Sequence, residues 1–149
     1  MTFFRFESEF VDSLRCIPMQ VRFKLDTCGI KLKLHHWNQF TQDERQTLVE
    51  HPCSTAQEVQ AYRSHLQQLI EVRSGEQATE LAVDPYPEWE NTTEIPASVQ
   101  SKAQETHQAI ALNQWAALTP LQRFALLKLS RSGHENRNFL PALQEFDLT

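Results

Sequence analysis

The chain has 149 residues, three cysteines and a formal net charge of -5 at pH 7. This length is sufficient for one domain whose core needs no disulfide or metal, and an odd number of cysteines is not typical of a secreted disulfide framework. An acidic protein is not expected to bind nucleic acid by neutralising phosphates, and no segment approaches the roughly 18 apolar residues of a membrane span. The first residues carry Glu7 and Glu9, where a signal peptide needs a basic and then an apolar region. We therefore predict a single cytoplasmic domain, residues 1–149.

The charges are unevenly distributed along the chain. Residues 15–33 are basic, and residues 43–94 are acidic. The cations of the first range are Arg15, Arg22, Lys24, Lys31 and Lys33, against Asp26 alone. Such asymmetry can steer a protein partner through complementary fields, although two ordinary solvated faces are the simpler interpretation.

The first predicted helix runs roughly from Pro18 to Cys28. Proline is accepted in a first helical turn, where its missing N–H would be unpaired in any case, and Gly29 suits a left-handed position after the last turn. When the residues are projected at about 100° each, apolar side chains lie on two faces of this helix. We therefore expect the helix to be mostly buried.

Cys16 and Cys28 bracket this helix. A rise of about 1.5 Å per residue puts them roughly 15–18 Å apart, whereas a disulfide needs Cα atoms within about 7 Å and two ligands of one metal must be comparably close. A metal or redox site would have to recruit other ligands, and no CxxC or HxxxH spacing indicates them. The remaining candidates are Cys53, His35, His36 and His51. We predict buried structural thiols and no metal site.

Ile30–Leu34 alternates apolar and basic residues, which is the period of a half-buried strand. No strong second strand is apparent, and Phe4 and Phe6 are a weak candidate partner. We therefore expect at most a minor short extended or β element in the N-terminal third of the chain.

Two further helices are marked by their ends. Thr41–Glu44 reads TQDE, a capping box, and opens a short helix that must end near His51–Pro52 because proline disfavours helical geometry before it. Ser54 or Thr55 begins the next helix, whose apolar residues fall within about 100° of arc and which Gly75 ends.

Residues 76–95 have little periodicity and contain Pro85 and Pro87, so we predict a long acidic connecting loop. Tyr86 and Trp89 would pack it down if it is ordered. A plain connector is the simpler interpretation, and an acidic loop that faces a partner is the alternative.

Helical spacing resumes at Pro96, with Val99, Ala103, His107 and Ile110 on one side. We interpret His107 as a core or half-exposed histidine rather than a ligand.

A last central helix is predicted from Thr119–Gln122, which reads TPLQ and forms a capping box with proline at the first helical position. The helix is apolar over most of its circumference, which leaves Arg123, Lys128 and Arg131 for its rim. A polar run at 134–138 then either ties a loop to its neighbours or forms a recognition patch. It is not an HExxH zinc motif, because position 138 is Asn.

Motifs of common enzyme classes are absent. The chain has no GxGxxG, GxxxxGK[ST] or GxSxG, and it has only three glycines with which to build a phosphate-binding loop. We predict a protein that is not an enzyme and needs no cofactor. A catalytic site dispersed along the sequence is the alternative.

Three blocks of the sequence resemble the nitrate reductase associated protein family, small proteins of cyanobacteria and related bacteria. The blocks are FESEFVDSLRCIPMQVRFKLDTCGIKLKL, AYRSHLQQLI and QRFALLKLSRSGHENRNFLPALQEF. The first and last are long and specific, and roughly Val72 to Glu94 carries no resemblance. The resemblance implies an accessory or maturation factor, chaperone-like, that binds the nitrate reductase apoenzyme during cofactor assembly.

Two other function classes stay open from the sequence. One is a metal or iron–sulfur carrier that uses Cys16, Cys28 or Cys53 with histidines. The other is a small enzyme with a dispersed site.

The fold expected from these patterns is mainly α, a single compact helical domain of about five to six helices. We expect eight side chains to be largely buried: Val21, Leu25, Tyr62, Leu66, Leu69, Phe124, Leu127 and Leu129. The predicted client surface combines the basic stretch with the polar run after Gly133. Its residues are Arg22, Lys24, Lys31, Lys33, His134, Asn136 and Arg137.

Overall fold

A computed structural model of the chain describes residues 3–7, 14, 16–131 and 138–149. Among the described residues 63% are helical, with one small two-stranded antiparallel sheet, which confirms the predicted mainly α fold class. The described residues form eight α-helices rather than five to six, because short helices also form at 34–39 and 112–117. The helices are α1 Met19–Cys28, α2 Leu34–Gln39, α3 Gln42–Glu50, α4 Ala56–Ser74, α5 Ala97–Glu105, α6 Leu112–Ala117, α7 Pro120–Arg131 and α8 Phe139–Glu145. The strands are β1 Ile30–Lys31 and β2 Thr79–Glu80, and 3₁₀ turns cover Arg5–Glu7 and Glu88–Glu90.

The described residues separate into two compact units. The first comprises those of Met1–Phe3 and Glu7–Val83, and the second those of Phe4–Phe6 and Asp84–Thr149. The single domain expected from the sequence stays a prediction. No helix among the described residues is both long and apolar enough to cross a membrane.

Helix α1 begins and ends where the sequence predicts. Pro18 precedes its first residue, and Gly29 ends it in the left-handed conformation with φ 79°. The Met19 N–H donates to the buried Glu7 carboxylate over 2.6 Å, so a side chain from earlier in the chain caps the helix. At the other end, the Arg63 guanidinium donates to the Cys28 and Gly29 carbonyls.

The capping box predicted from TQDE is present, and Thr55, one of the two residues predicted to begin the next helix, also forms one. Thr41 with Glu44 and Thr55 with Glu58 each satisfy two backbone N–H groups at the start of α3 and α4. Helix α4 ends at Gly75 with φ 74°, as predicted.

The partner of the short strand is not the one predicted. β1 pairs with β2, with Ile30 opposite Glu80 and Lys31 opposite Thr79. Phe4 and Phe6, which belong to the second unit, stack on each other instead, and Phe6 lies within the 3₁₀ turn Arg5–Glu7. β2 lies inside the segment predicted to be a plain loop. The sequence did not reveal this strand, because its two residues are exposed and show no apolar alternation.

The core of the first unit is built on α1 and α4. Tyr62 donates from its hydroxyl to the Leu48 carbonyl over 2.9 Å, and the Trp37 indole donates to the Leu14 carbonyl over 2.8 Å. Both large rings are therefore buried with their polar atoms satisfied. All eight side chains predicted to be largely buried are buried.

Helix α7 is central to the second unit, but the interpretation of Arg123 as a rim residue is wrong. Arg123 is 6% exposed, and its guanidinium donates to the Trp89, Leu118 and Ala116 carbonyls. A long side chain with five donors can satisfy several carbonyls that the ends of helices and turns leave unpaired, which outweighs its preference for solvent. The capping box of Thr119 and Gln122 is confirmed.

Two aromatic residues also depart from expectation. His107 lies beyond the end of α5, exposed and at φ 61°, so it is not a core histidine on the apolar face of that helix. Tyr86 is 88% exposed and does not pack its loop down, whereas Trp89 is half-buried against Phe124.

Candidate functional site

Lys31 and Lys33 form an exposed basic pair. Leu32 between them packs against the core of the first unit, and the extended backbone turns the residues on either side of it outward. Lys31 belongs to β1, and Lys33 directly precedes α2. Leu34 follows and is also exposed. The pair is thus placed where a partner could reach it.

Arg22 and Lys24 are half-buried and face the protein instead. The Lys24 ammonium donates to the Val49 and His51 carbonyls over 2.6 and 2.7 Å, and burial lowers its pKa. The Arg22 Nε donates to the Ile17 carbonyl. Both cations tie elements of the first unit together, a use that a charge count along the sequence does not reveal.

The other predicted surface residues, His134, Asn136 and Arg137, lie outside the described residues. Their proposed role in client binding stays a prediction.

The prediction of buried thiols is confirmed for Cys28 and Cys53 and is wrong for Cys16, which is exposed because it lies before α1 rather than on a packed face of that helix. Burial raises the pKa of Cys28 to about 11 and also raises the pKa of Cys53. Because the thiolate is the form that binds metals and attacks electrophiles, Cys28 and Cys53 are poor ligands and poor nucleophiles at neutral pH.

His35, His36 and Glu76 form a cluster that the sequence reading found only in part, because it named the two histidines as possible ligands but did not identify Glu76 as their partner. His36 Nε2 lies 3.1 Å from Glu76 Oε2, and His35 Nε2 lies 3.5 Å from Glu76 Oε1. The two imidazole rings are 4.3 Å apart between centroids. One ligand atom from each of the three residues lies within 4.8 Å of the others. Among the described residues this is the one group with a metal-ligand arrangement.

Local structure explains how the cluster forms. The two histidines lie in the first turn of α2, directly after Leu34, and the next residue, Trp37, is buried in the core. Gly75 turns the chain out of α4 in the left-handed conformation, and the Glu76 N–H then donates to Ser74 Oγ over 3.0 Å. Glu76 follows His36 by 40 residues, so no short spacing in the sequence could have signalled the group.

The electrostatics of the cluster favour an ionised carboxylate. The hydrogen bond to His36 and the nearby His35 ring lower the pKa of Glu76. His36 is almost wholly buried, with 1% of its side chain exposed, while His35 and Glu76 are 53% and 50% exposed. His36 Nδ1 has no hydrogen-bond partner among the described residues.

The chain matches one family over nearly its whole length. The match covers residues 3–146, and the family is described as conserved nitrate reductase-associated protein. Comparisons with curated proteins and with solved structures found no match. The chain therefore belongs to the family of conserved nitrate reductase-associated proteins.

Proposed function

We propose that this protein is a cytoplasmic accessory factor that binds the nitrate reductase apoenzyme and assists its maturation. The observation that carries the proposal is the family match across residues 3–146, which spans both compact units. The family description names an association with nitrate reductase and not a reaction.

A maturation factor must prefer the unfinished client. A protein that binds one state of its partner better than another shifts the equilibrium toward that state, by no more than the difference in affinity. A chaperone-like factor that binds the apoenzyme more tightly than the loaded enzyme would hold it until its cofactor enters and would then dissociate. It would need no reaction of its own.

The exposed pair Lys31 and Lys33 is the part of the predicted surface that best suits an acidic client. Exposed cations at an interface rim mainly raise the association rate, and salt screens them over about 10 Å at 0.1 M ionic strength. Lys24 is a weaker candidate than in the sequence reading, because its ammonium already binds two carbonyls. Arg22 is a weaker candidate for the same reason, since it is half-buried and donates to the Ile17 carbonyl. His134, Asn136 and Arg137 stay in the proposed surface.

The cysteine-based carrier is the less favoured alternative. The raised pKa values of Cys28 and Cys53 make both thiols poor ligands, so the exposed Cys16 is the remaining candidate. One thiol does not hold an iron–sulfur cluster. The dispersed enzyme has no comparable observation in its favour.

The test measures binding of this protein to purified apo and cofactor-loaded nitrate reductase. We expect tighter binding to the apoenzyme, and binding that weakens as salt is added. The Lys31→Glu, Lys33→Glu double variant should bind more slowly and with a smaller salt dependence, provided that circular dichroism shows it folded.

The matched control is Arg5→Glu with Arg131→Glu, which changes net charge by the same amount in the second unit. Both arginines are exposed, and each pairs with one carboxylate, Arg5 with the mostly buried Glu145 and Arg131 with the half-exposed Glu88. This control should bind like the wild type. Equal affinity for apo and loaded enzyme would overturn the maturation role. Unchanged binding by the lysine variant would overturn the proposed client surface at Lys31 and Lys33. The acidic segment from Asp84 to Glu94 would then be the next candidate surface.

A further inference from the structure

We propose that His35, His36 and Glu76 form a binding site for one divalent transition-metal ion of the class that includes Zn²⁺. The inference is independent of the client proposed above. It rests on the geometry of the three side chains and on the chemistry of their donor atoms.

The distances in the cluster are close to those that a metal requires. Zinc lies about 2.0–2.2 Å from nitrogen and oxygen ligands, so the ligand atoms of a tetrahedral site are roughly 3.3–3.6 Å apart. Each imidazole Nε2 already faces one oxygen of Glu76, at 3.1 and 3.5 Å. The ligand atoms, which lie within 4.8 Å of one another, therefore need only a small contraction.

The side chains that must move are the ones free to do so. His35 and Glu76 are about half exposed, whereas His36 is held in the core. A fixed His36 with two adjustable neighbours provides one preorganised ligand and two that can close on the ion. The exposed side of the cluster leaves a coordination position open to water.

The donor set selects the class of metal. Two imidazole nitrogens and a carboxylate suit Zn²⁺, Ni²⁺, Cu²⁺ or Fe²⁺, whereas Mg²⁺ and Ca²⁺ prefer oxygen ligands alone. Among the described residues no cysteine is part of the group. The site thus differs from the cysteine-based carrier that the sequence left open.

His36 Nδ1 limits the affinity. A metal on Nε2 places the ring hydrogen on Nδ1, and metal-binding histidines normally donate this hydrogen to a carboxylate or carbonyl. His36 Nδ1 has no such partner among the described residues. We therefore expect weaker binding than at three-ligand zinc sites whose histidines are supported in this way.

The experiment titrates Zn²⁺ into metal-free protein prepared without a histidine tag, by calorimetry and by competition with a chromophoric chelator. We expect one equivalent to bind, Mg²⁺ and Ca²⁺ not to compete, and Co²⁺ to give the visible absorption of a site with nitrogen and oxygen ligands. His35→Ala and Glu76→Gln should each weaken binding at least about 10-fold, since even the loss of a supporting residue has that effect.

Three controls separate this site from other ligands on the chain. Glu71→Gln removes another exposed carboxylate from α4, His107→Asn removes an exposed histidine in the second unit, and Cys16→Ser removes the exposed thiol. All three should bind Zn²⁺ like the wild type. His36→Ala is not used, because loss of a buried ring could unfold the protein. The proposal is overturned if no saturable equivalent binds, or if binding survives both ligand variants or depends on Cys16.

Discussion

The two buried thiols behave as small apolar side chains. Cys28 Sγ contacts the Leu25 carbonyl at 3.7 Å, and Cys53 Sγ contacts the Lys24 carbonyl at 3.9 Å. Desolvation is the main cause of the raised pKa of each thiol. At neutral pH both therefore remain protonated, and their contribution is to packing.

We predict that a thiol reagent at neutral pH modifies Cys16 in the native protein and modifies Cys28 and Cys53 only after unfolding in urea. Mass spectrometry of the labelled peptides measures this directly. Because the folded pKa of Cys28 lies near 11 and its ordinary value is 9.0, the unfolded chain loses this proton first as pH rises. Stability should thus fall as pH rises from about 9 toward about 11, the sign expected when the folded state binds more protons.

The control for this labelling experiment is Cys16→Ser, which should abolish modification of the native protein. Labelling of Cys28 or Cys53 in the native state as fast as that of Cys16 would contradict the prediction. It would also restore the cysteine-based carrier as a candidate function.

Cations that are wholly or half buried are the residues for which sequence reasoning was least informative. Lys24 and Arg123 were expected on the surface, but each donates to carbonyls left open at the ends or edges of helices. Desolvation lowers the pKa of both groups. The sequence shows the charge of a side chain but not the unpaired carbonyls around it, so their burial could not be predicted.

At the scale of elements, two glycines end helices with the same backbone conformation but different surroundings. Gly29 has φ 79° and Gly75 has φ 74°. A Cβ on Gly29 would lie 2.8 Å from Val83 Cγ2 and 2.9 Å from the Leu81 carbonyl oxygen. A Cβ on Gly75 would have no atom within 4 Å.

We predict that Gly29→Ala destabilises the protein more than Gly75→Ala. Both variants place a Cβ in the left-handed region, which costs about 1–2 kcal/mol. Gly29→Ala must also displace Leu81, whose N–H donates to the Gly29 carbonyl over 2.8 Å, and such overpacking costs roughly 1–3 kcal/mol more. Urea unfolding followed by circular dichroism measures both free energies of unfolding.

Gly75→Ala is itself the matched control, because it carries the backbone strain without the steric clash. Equal losses in free energy of unfolding would contradict the prediction. They would show that Leu81 and Val83 move away from Gly29 at little cost when a Cβ is added.

The elements predicted correctly are those whose signals are local. Thr41 with Glu44 and Thr119 with Gln122 satisfy backbone groups within one turn, so their residue types suffice to place a helix start. The pairing of β1 with β2 joins residues about 50 positions apart, and β2 has no apolar alternation of its own. The cluster of His35, His36 and Glu76 is assembled in the same nonlocal way, by a turn after α4 and the start of α2.

At the scale of the whole molecule, the chain connects its two units at more than one place. Phe4–Phe6 belongs to the second unit, and the residues on both sides of it belong to the first. The Phe6 N–H donates to Glu145 in the second unit, and Glu7, the next residue, caps α1 in the first. Because these residues are consecutive in the chain, unfolding of the second unit would disturb the Glu7 cap of α1 in the first. Unfolding of the first unit would disturb the stacking of Phe4 on Phe6 in the second.

We predict on this basis that the two units unfold as one cooperative domain, which tests the single domain expected from the sequence. Trp37 lies in the first unit, and Trp89 and Trp115 lie in the second, so single-unit probes are available. Trp37→Phe leaves fluorescence that reports on the second unit, and Trp89→Phe with Trp115→Phe leaves fluorescence that reports on the first.

Within each variant, the urea transition seen by fluorescence should coincide with the transition seen by far-ultraviolet circular dichroism, because two-state unfolding gives the same midpoint with every probe. The comparison is made inside one variant, so the stability lost by replacing a buried tryptophan does not affect it. A fluorescence midpoint that departs from the circular dichroism midpoint in either variant would instead show two domains of different stability.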